Sequence, residues 1–183
     1  MNKRYLSIFI FLLLISQLFP QEKYDFTIRF GQGGFTDDRS PINKLGGGQI
    51  ALDVKPTNVP LALSITGEYY TNDPDPDQPY EIGDLTAFNL LYMPKFLEYE
   101  RINPFIGGGM GWLKVADDDP ETEKMHRGTV YNIEAGINVL AFWKIGFYGM
   151  YKYLYANKEI DSQKVIDFNE HIFMVGITFN FSL

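Results

Sequence analysis

The sequence predicts an all-β chain that folds as an eight-stranded antiparallel up-and-down transmembrane β-barrel, preceded by a cleaved N-terminal signal peptide. Three observations predict it: an apolar N-terminal run behind basic residues, eight segments in which apolar and polar residues alternate, and connections that alternate in length. Aromatic residues make up 16% of the 183 residues and glycine contributes 17, which suits long, tightly packed strands. The formal charge of −7 argues against a nucleic-acid-binding face, and the absence of cysteine excludes disulfides and cysteine metal sites.

The N-terminus carries the pattern of a secretory signal. Lys3 and Arg4 precede a largely apolar run from Leu6 to Ile15. A basic start followed by a short apolar core is typical of a signal peptide. The alternative is a membrane anchor, which usually needs a longer apolar run. We therefore expect a signal peptide over residues 1–20 and a barrel domain over residues 21–183, exported through the periplasm.

The rest of the chain divides into segments that alternate with period two rather than with the 3.6-residue period of a helix. In the last segment Phe173, Val175 and Ile177 share one face, and Gly176 and Thr178 share the other. The fourth segment is too irregular for its faces to be assigned. Long polar connections follow odd-numbered segments and shorter turns follow even-numbered ones, which is the layout of a membrane barrel. The predicted strands lie near residues 24–36, 45–55, 59–71, 82–94, 103–115, 128–141, 143–156 and 170–183.

Alternation alone does not say which face points outward, because a soluble barrel encloses its apolar face. A sheet in a bilayer must close on itself to pair its backbone groups, and its apolar face must then point outward. The length of the predicted strands and the position of aromatic residues at their ends favour the membrane, since such aromatics form girdles at the two membrane interfaces. The predicted interface aromatics are Tyr69, Trp112, Tyr153 and Phe173 towards the loops, and Tyr24, Trp143, Phe179 and Phe181 towards the turns.

Two segments resemble a known group of proteins. The last segment, with Ile177, Phe179, Phe181 and Leu183, is similar to the closing strand of bacterial outer-membrane barrels, although that group usually ends in Phe. The fifth, from Asn103 to Gly111, resembles the Pro-aromatic-x-Gly-x-Gly stretch of OmpA-like, OmpX-like and OmpW-like small barrels. The resemblance implies integral residence in the bacterial outer membrane, among its lipid and lipopolysaccharide. It also implies recognition of the last strand by the barrel-assembly machinery.

Charged residues occur on the face opposite the apolar one. An eight-stranded barrel has an interior just wide enough for its own side chains. A buried charge without a partner is destabilising, so we expect a paired network that fills the lumen, with Lys152 close to Glu134. The alternative is a path for protons or solutes. The predicted network contains Arg29, Asp53, Glu68, Glu134, Lys144 and Lys152.

Acidic loops raise the possibility of a calcium site. Asp73, Asp75 and Asp77 alternate with other residues, and residues 117–119 are consecutive aspartates. Hard cations do favour several carboxylates, but the spacing of an EF-hand is absent, and solvated acidic loops are common. We predict no metal site.

The two histidines give no indication of catalysis. His126 and His171 lack the His-x-Ser pairing of barrel-type lipid A deacylases, and the sequence has no Gly-x-Ser-x-Gly elbow. The glycine runs at 46–48 and 107–109 lack the Lys-Ser/Thr that follows a phosphate loop. We therefore predict no catalytic residue and no cofactor.

These observations predict a non-enzymatic integral outer-membrane barrel with a filled lumen. Its role would be structural or would be exerted through its extracellular loops, on a partner that the sequence does not identify. Two alternatives stay open: a narrow channel for small or hydrophobic solutes, and a secreted soluble barrel that binds a ligand.

Overall fold

A computed structural model of the chain describes residues 23–35, 46–71, 80–94, 101–117, 125–160 and 164–182. These ranges contain eight strands. No helix in them is long and apolar enough to cross a membrane. The strands are β1 (Tyr24–Phe35), β2 (Gly46–Pro56), β3 (Leu61–Thr71), β4 (Tyr80–Tyr92), β5 (Ile102–Asp117), β6 (Met125–Phe142), β7 (Ile145–Ile160) and β8 (Lys164–Ser182).

The eight strands form one closed barrel in which each strand pairs antiparallel with the next. The barrel closes where β1 pairs with β8, with Ile28 opposite Phe179. Closure removes sheet edges, so each strand of the barrel wall has a backbone partner on both sides. The predicted all-β, eight-stranded up-and-down fold is confirmed.

The strand bounds differ from the predicted ones mainly at the loop end. The ladder between β7 and β8 runs from Ile145 opposite Phe179 to Ile160 opposite Lys164. The pairing of β8 with β1, in contrast, stops at Ile172. The pairing of β7 with β6 likewise stops at Tyr155, so the hairpin of β7 and β8 extends beyond its ladders with both neighbouring strands. Apolar alternation marks only the lipid-facing length of a strand, and the polar extension was not predicted for this reason.

Short turns connect the strands at the opposite end. Residues 57–60 join β2 to β3, and Trp143 with Lys144 joins β6 to β7. Trp143 has a φ of 52°, a left-handed conformation that favours glycine or asparagine. The sixth segment, predicted to end at residue 141, continues through Phe142 after a register shift, and the seventh begins at Ile145 and not at residue 143. The acidic connections at residues 72–79 and 118–124 lie outside the described residues.

The alternating apolar faces that the sequence predicts point away from the barrel axis. Ile133 is 62% exposed and Val175 is 67% exposed, whereas Arg29, Glu134 and Lys152 are fully buried. This is the reverse of a soluble barrel and matches a wall that faces lipid. The structure also assigns the faces of β4, which turns Leu85, Ala87, Asn89 and Leu91 inward (residues that the sequence left unassigned).

Candidate functional site

The middle of the lumen is crossed by the side chain of Arg29. It extends from β1 and forms an ion pair with Asp53 of β2, at 2.9 Å between Nε and Oδ2 and 3.0 Å between Nη2 and Oδ1. The same Nη2 donates to Ser64 Oγ at 3.2 Å and to Glu134 Oε1 at 3.3 Å. The guanidinium also lies 5.0 Å from the ring centre of Phe105. One cation thus ties β1 to β2, β3, β5 and β6.

A second cation, Lys152 of β7, lies closer to the loop end. Its Nζ contacts Glu68 of β3, on the opposite side of the barrel, and lies 3.4 Å from Glu134 Oε2. Glu68 also accepts hydrogen bonds from Gln49 Nε2, at 2.7 Å, and from the Tyr70 hydroxyl. The carboxylate is therefore held by three donors from three strands, as a buried charge requires.

Glu134 connects the two cations. It stands directly opposite Lys152 in the register of β6 and β7, and its other oxygen faces Arg29. The expected pair of Lys152 and Glu134 is present. The resulting cluster contains two cations and three carboxylates, and none of the five side chains is more than 3% exposed. We refer to Arg29, Asp53, Glu68, Glu134 and Lys152 as the ion network.

Glycines make room for the large side chains of the lumen. Tyr148 of β7 lies over Gly176 of β8 and Gly31 of β1, which are its neighbours in the register. A Cβ on Gly31 would collide with the Tyr148 hydroxyl. Tyr148 in turn donates to Gln49 Oε1 at 3.0 Å and so supports the ion network. The inward glycine of β5 at 109 likewise lies too close to the backbone of β4 to carry a side chain.

The lumen widens below the ion network, towards the turns. A cavity of about 550 Å³ opens there, and Asn138 and Thr178 are among the residues that line it. Thr27 Oγ1 donates to Asn180 Oδ1 at 2.9 Å along its wall. We refer to this cavity as the vestibule.

Lys144 does not belong to the ion network. It lies in the exposed turn after β6, with its Nζ 5.6 Å from the ring centre of Trp143. The sequence prediction extended the alternation of β7 one residue too far, into a turn where alternation no longer applies. The lumen is also less polar than predicted, because Leu85, Leu113 and Met174 are buried in it.

Four polar residues that contact the ion network or support its members were not among the predicted site residues. Gln49, Ser64, Tyr70 and Tyr148 hydrogen bond to members of the ion network or to each other, and each is buried. Ser64 and Tyr70 are separated from Glu68 by even numbers of residues, so they share its face. The alternation of side chains along the strand was the signal that could have placed them on the inward face.

The predicted interface aromatics lie on the outer surface or at its edges. Tyr69, Trp112 and Phe173 are more than half exposed towards the loops, and Trp143 is 80% exposed at the turns. Phe30 meets Phe179 edge to face, with ring centres 6.0 Å apart. The remaining three, Tyr24, Tyr153 and Phe181, are half-buried.

The predicted assembly signal lies along β8. Ile177 and Phe179 point outward, and Phe181 stacks on Phe26 of β1 with ring centres 5.3 Å apart. Leu183 lies outside the described residues. Recognition of this strand by an assembly machinery stays a prediction.

The structure places His171 on the outer face of β8, where its Nδ1 is hydrogen bonded to the Tyr151 hydroxyl. The side chain of His126 lies outside the described residues. Within the described ranges, no three acidic or histidine side chains are grouped so that they could hold a metal ion.

No known family model matches the sequence, and no curated protein does. The fold, however, is similar to solved structures. The N-terminal β-barrel domain of Pseudomonas aeruginosa OprF has a TM-score of 0.59 and 14% identity, over 88% of this chain and 98% of that one. Neisserial surface protein A has a TM-score of 0.58 and 11% identity, over 86% and 94%. The outer membrane protein OprG from Pseudomonas aeruginosa has a TM-score of 0.55 and 11% identity, over 87% and 96%.

At these sequence identities the similarity shows the fold alone. The environment of the barrel is indicated by the surface of this chain. A closed barrel with an apolar exterior and a charged interior is suited to lipid and not to water. Fold and surface together define an integral β-barrel of the kind that bacterial outer membranes contain.

Proposed function

We propose that this outer-membrane barrel is a non-enzymatic protein with a closed lumen, whose role is structural or is exerted at the cell surface through its loops. The observation that carries the proposal is the burial of the ion network, whose members cross the lumen from opposite walls. A conducting pore needs a continuous aqueous path lined by solvated groups. Side chains occupy that path here.

The surface part of the proposal is supported by the sequence of the loops. Acidic residues are concentrated after β3, at Asp73, Asp75 and Asp77, and at and just beyond the end of β5, at residues 117–119. A partner that binds these loops would carry positive charge. Neisserial surface protein A, whose name places it at the cell surface, has the same fold.

The second candidate function is a narrow channel, and the vestibule is the observation that favours it. The vestibule brings solvent from the turn side as far as Asn138 and Thr178. The ion network, together with buried apolar side chains on its loop side such as Val130 and Leu154, then separates the vestibule from the loop side. A soluble ligand-binding barrel, in contrast, does not fit an exterior on which Ile133, Phe147 and Val175 are more than half exposed.

Planar-bilayer recording distinguishes the closed barrel from the channel. The refolded protein is expected to show no steady conductance. Lys144→Ala, which lies at the rim of the vestibule and outside the ion network, should behave identically. Replacing Lys152 and Glu68 together with Ala removes a cation with its anion and should open a path. Steady conductance of the unmodified protein would contradict the closed lumen. A folded double variant without conductance would show that Lys152 and Glu68 do not seal the lumen.

A further inference from the structure

The lipid-facing surface of β7 has a depression at Gly149. Across the register Gly149 lies between Ile137 of β6 and Val175 of β8, and all three positions face outward. A Cβ built on Gly149 would find no atom within 4 Å, so the space above it is open. We refer to this depression as the β7 notch. Its walls include Ile137, Phe147, Phe173, Val175 and Ile177.

The depth and lining of the β7 notch determine what can occupy it. A tilted strand crosses the hydrocarbon region of the bilayer in about 9 to 11 residues. If β7 enters this region at Ile145, its first residue, Gly149 lies near the middle of the bilayer. The surroundings at that depth are hydrocarbon. An unfilled depression forfeits dispersion contacts, and an acyl chain lying in it regains them.

A polar aromatic cluster adjoins the β7 notch on the loop side. The Tyr151 hydroxyl is hydrogen bonded to His171 Nδ1, and the His171 ring lies 5.0 Å from that of Tyr153. All three side chains are half-buried on the outer face. Tyr153 and His171, opposite one another in the register, lie four residues along the strand from Gly149 and so near the loop-side interface, where polar aromatic groups belong. Tyr151 lies deeper, and its hydroxyl reaches up to His171. We refer to Tyr151, Tyr153 and His171 as the Tyr-His cluster.

The β7 notch and the Tyr-His cluster are continuous. Tyr151 lines the notch and belongs to the cluster, and it lies two residues, roughly 7 Å, along the strand from Gly149. The surface is therefore polar near the headgroups and has an apolar depression deeper in the bilayer. An amphipathic molecule, with a polar headgroup and an apolar chain, fits such a surface. Phe173, whose ring centre is 5.2 Å from that of Tyr151, forms the border between the two parts.

We propose that the β7 notch and the Tyr-His cluster bind one lipid molecule of the leaflet on the loop side. Its headgroup oxygens meet the Tyr-His cluster, and one acyl chain lies over Gly149. The proposal rests on the outer-membrane location of the barrel with its loops outward, in which that leaflet is lipopolysaccharide. The ligand is therefore the lipid A part, a phosphorylated glycolipid with saturated chains.

Gly149→Leu tests the proposal, because its Cβ enters open space and the rest of the new side chain occupies the β7 notch. The matched control is Gly67→Leu on β3, on the opposite side of the barrel. Gly67 also faces outward, and the nearest atom to its built Cβ is 4.0 Å away. Heat-modifiable gel migration verifies that both variants are folded.

Native mass spectrometry of the barrel in detergent with added lipid A gives the readout. The unmodified protein and Gly67→Leu should each retain one lipid A, and Gly149→Leu should retain it at least tenfold less. Tyr151→Phe, which leaves the notch intact, should weaken retention to an intermediate degree. Equal retention by Gly149→Leu and Gly67→Leu would overturn the site.

Two other outcomes would overturn the identity of the occupant. Equal retention of phosphatidylethanolamine would remove the preference for lipid A. A dimer that only Gly149→Leu abolishes would assign the β7 notch to a second copy of the chain. Neither outcome bears on the lumen, because Gly149 points away from it, so the conductance experiment fails or succeeds independently.

Discussion

Replacement of Arg29 by Met removes the central cation of the ion network and keeps much of the side-chain volume. Asp53, which is only 2% exposed, then loses both of its contacts with the guanidinium, at 2.9 and 3.0 Å. Glu134 retains only Lys152, at 3.4 Å. The network changes from two cations and three carboxylates to one cation and three carboxylates.

The expected loss follows from the burial of these groups. Removing one partner of a buried ion pair costs about 3–5 kcal/mol, because the other charge is left uncompensated. Loss of the guanidinium from the face of Phe105 adds up to about 2 kcal/mol. We expect Arg29→Met to lower the free energy of unfolding by about 3–5 kcal/mol or slightly more.

Urea unfolding in lipid, followed by tryptophan fluorescence, measures this loss, with gel migration as a second probe of the folded state. The control is Arg29→Met combined with Asp53→Leu, which removes the anion together with its cation. Apolar replacement of a whole buried pair is often neutral, so the double variant should recover much of the stability. A loss below about 1 kcal/mol in the single variant, the range of exposed pairs, would refute the reasoning. A double variant as unstable as the sum of the two single changes would refute it equally.

Three further substitutions test other parts of the barrel. Ile137→Lys places a charge on the lipid face near the midplane, which destabilises the barrel by about 2–4 kcal/mol. It should lower the folded fraction on gels far more than Asn138→Lys, which points into the vestibule. Equal folded fractions would contradict the assigned faces. Gly109→Ala should lower the free energy of unfolding in urea by about 1–3 kcal/mol, because the new Cβ meets the backbone of β4. Gly67→Ala should not, because its Cβ enters open space. Equal changes in the two variants would contradict this packing. Lys144→Ala should leave the urea midpoint unchanged, since its side chain is exposed in a turn; a loss as large as that of a network residue would place Lys144 back in the lumen.

The fold could be predicted because a barrel in lipid imposes a strict rule on its strands. Each lipid-facing position must be apolar, so outward residues such as Ile133, Ile137 and Val139 produce a visible period of two. Inward positions follow no such rule, since they need only fill space and satisfy each other. Leu85 and Leu91 of β4 point inward, and Phe88 and Leu90 point outward. Both faces of that strand are thus apolar in part, and this obscured their assignment.

The ion network could be predicted in part for the same reason. Charges on the inward face had to be paired, and register alone brings Lys152 opposite Glu134. The contact of Lys152 with Glu68 crosses the lumen between strands that are not neighbours, so no local pattern encodes it. The β7 notch was not predicted, because Gly149 is recognisable as a gap only once its neighbours on β6 and β8 are known.

Site-directed spin labelling along β6 tests the orientation of the wall most directly. The sequence has no cysteine, so single cysteines at residues 131–139 can be labelled without background in liposome-inserted protein. Odd-numbered positions should be accessible to oxygen dissolved in the bilayer, and even-numbered positions should be protected from it. Protection of Ile133 and Ile137 with oxygen access at Asn132 and Glu134 would invert the wall and contradict a membrane-spanning barrel.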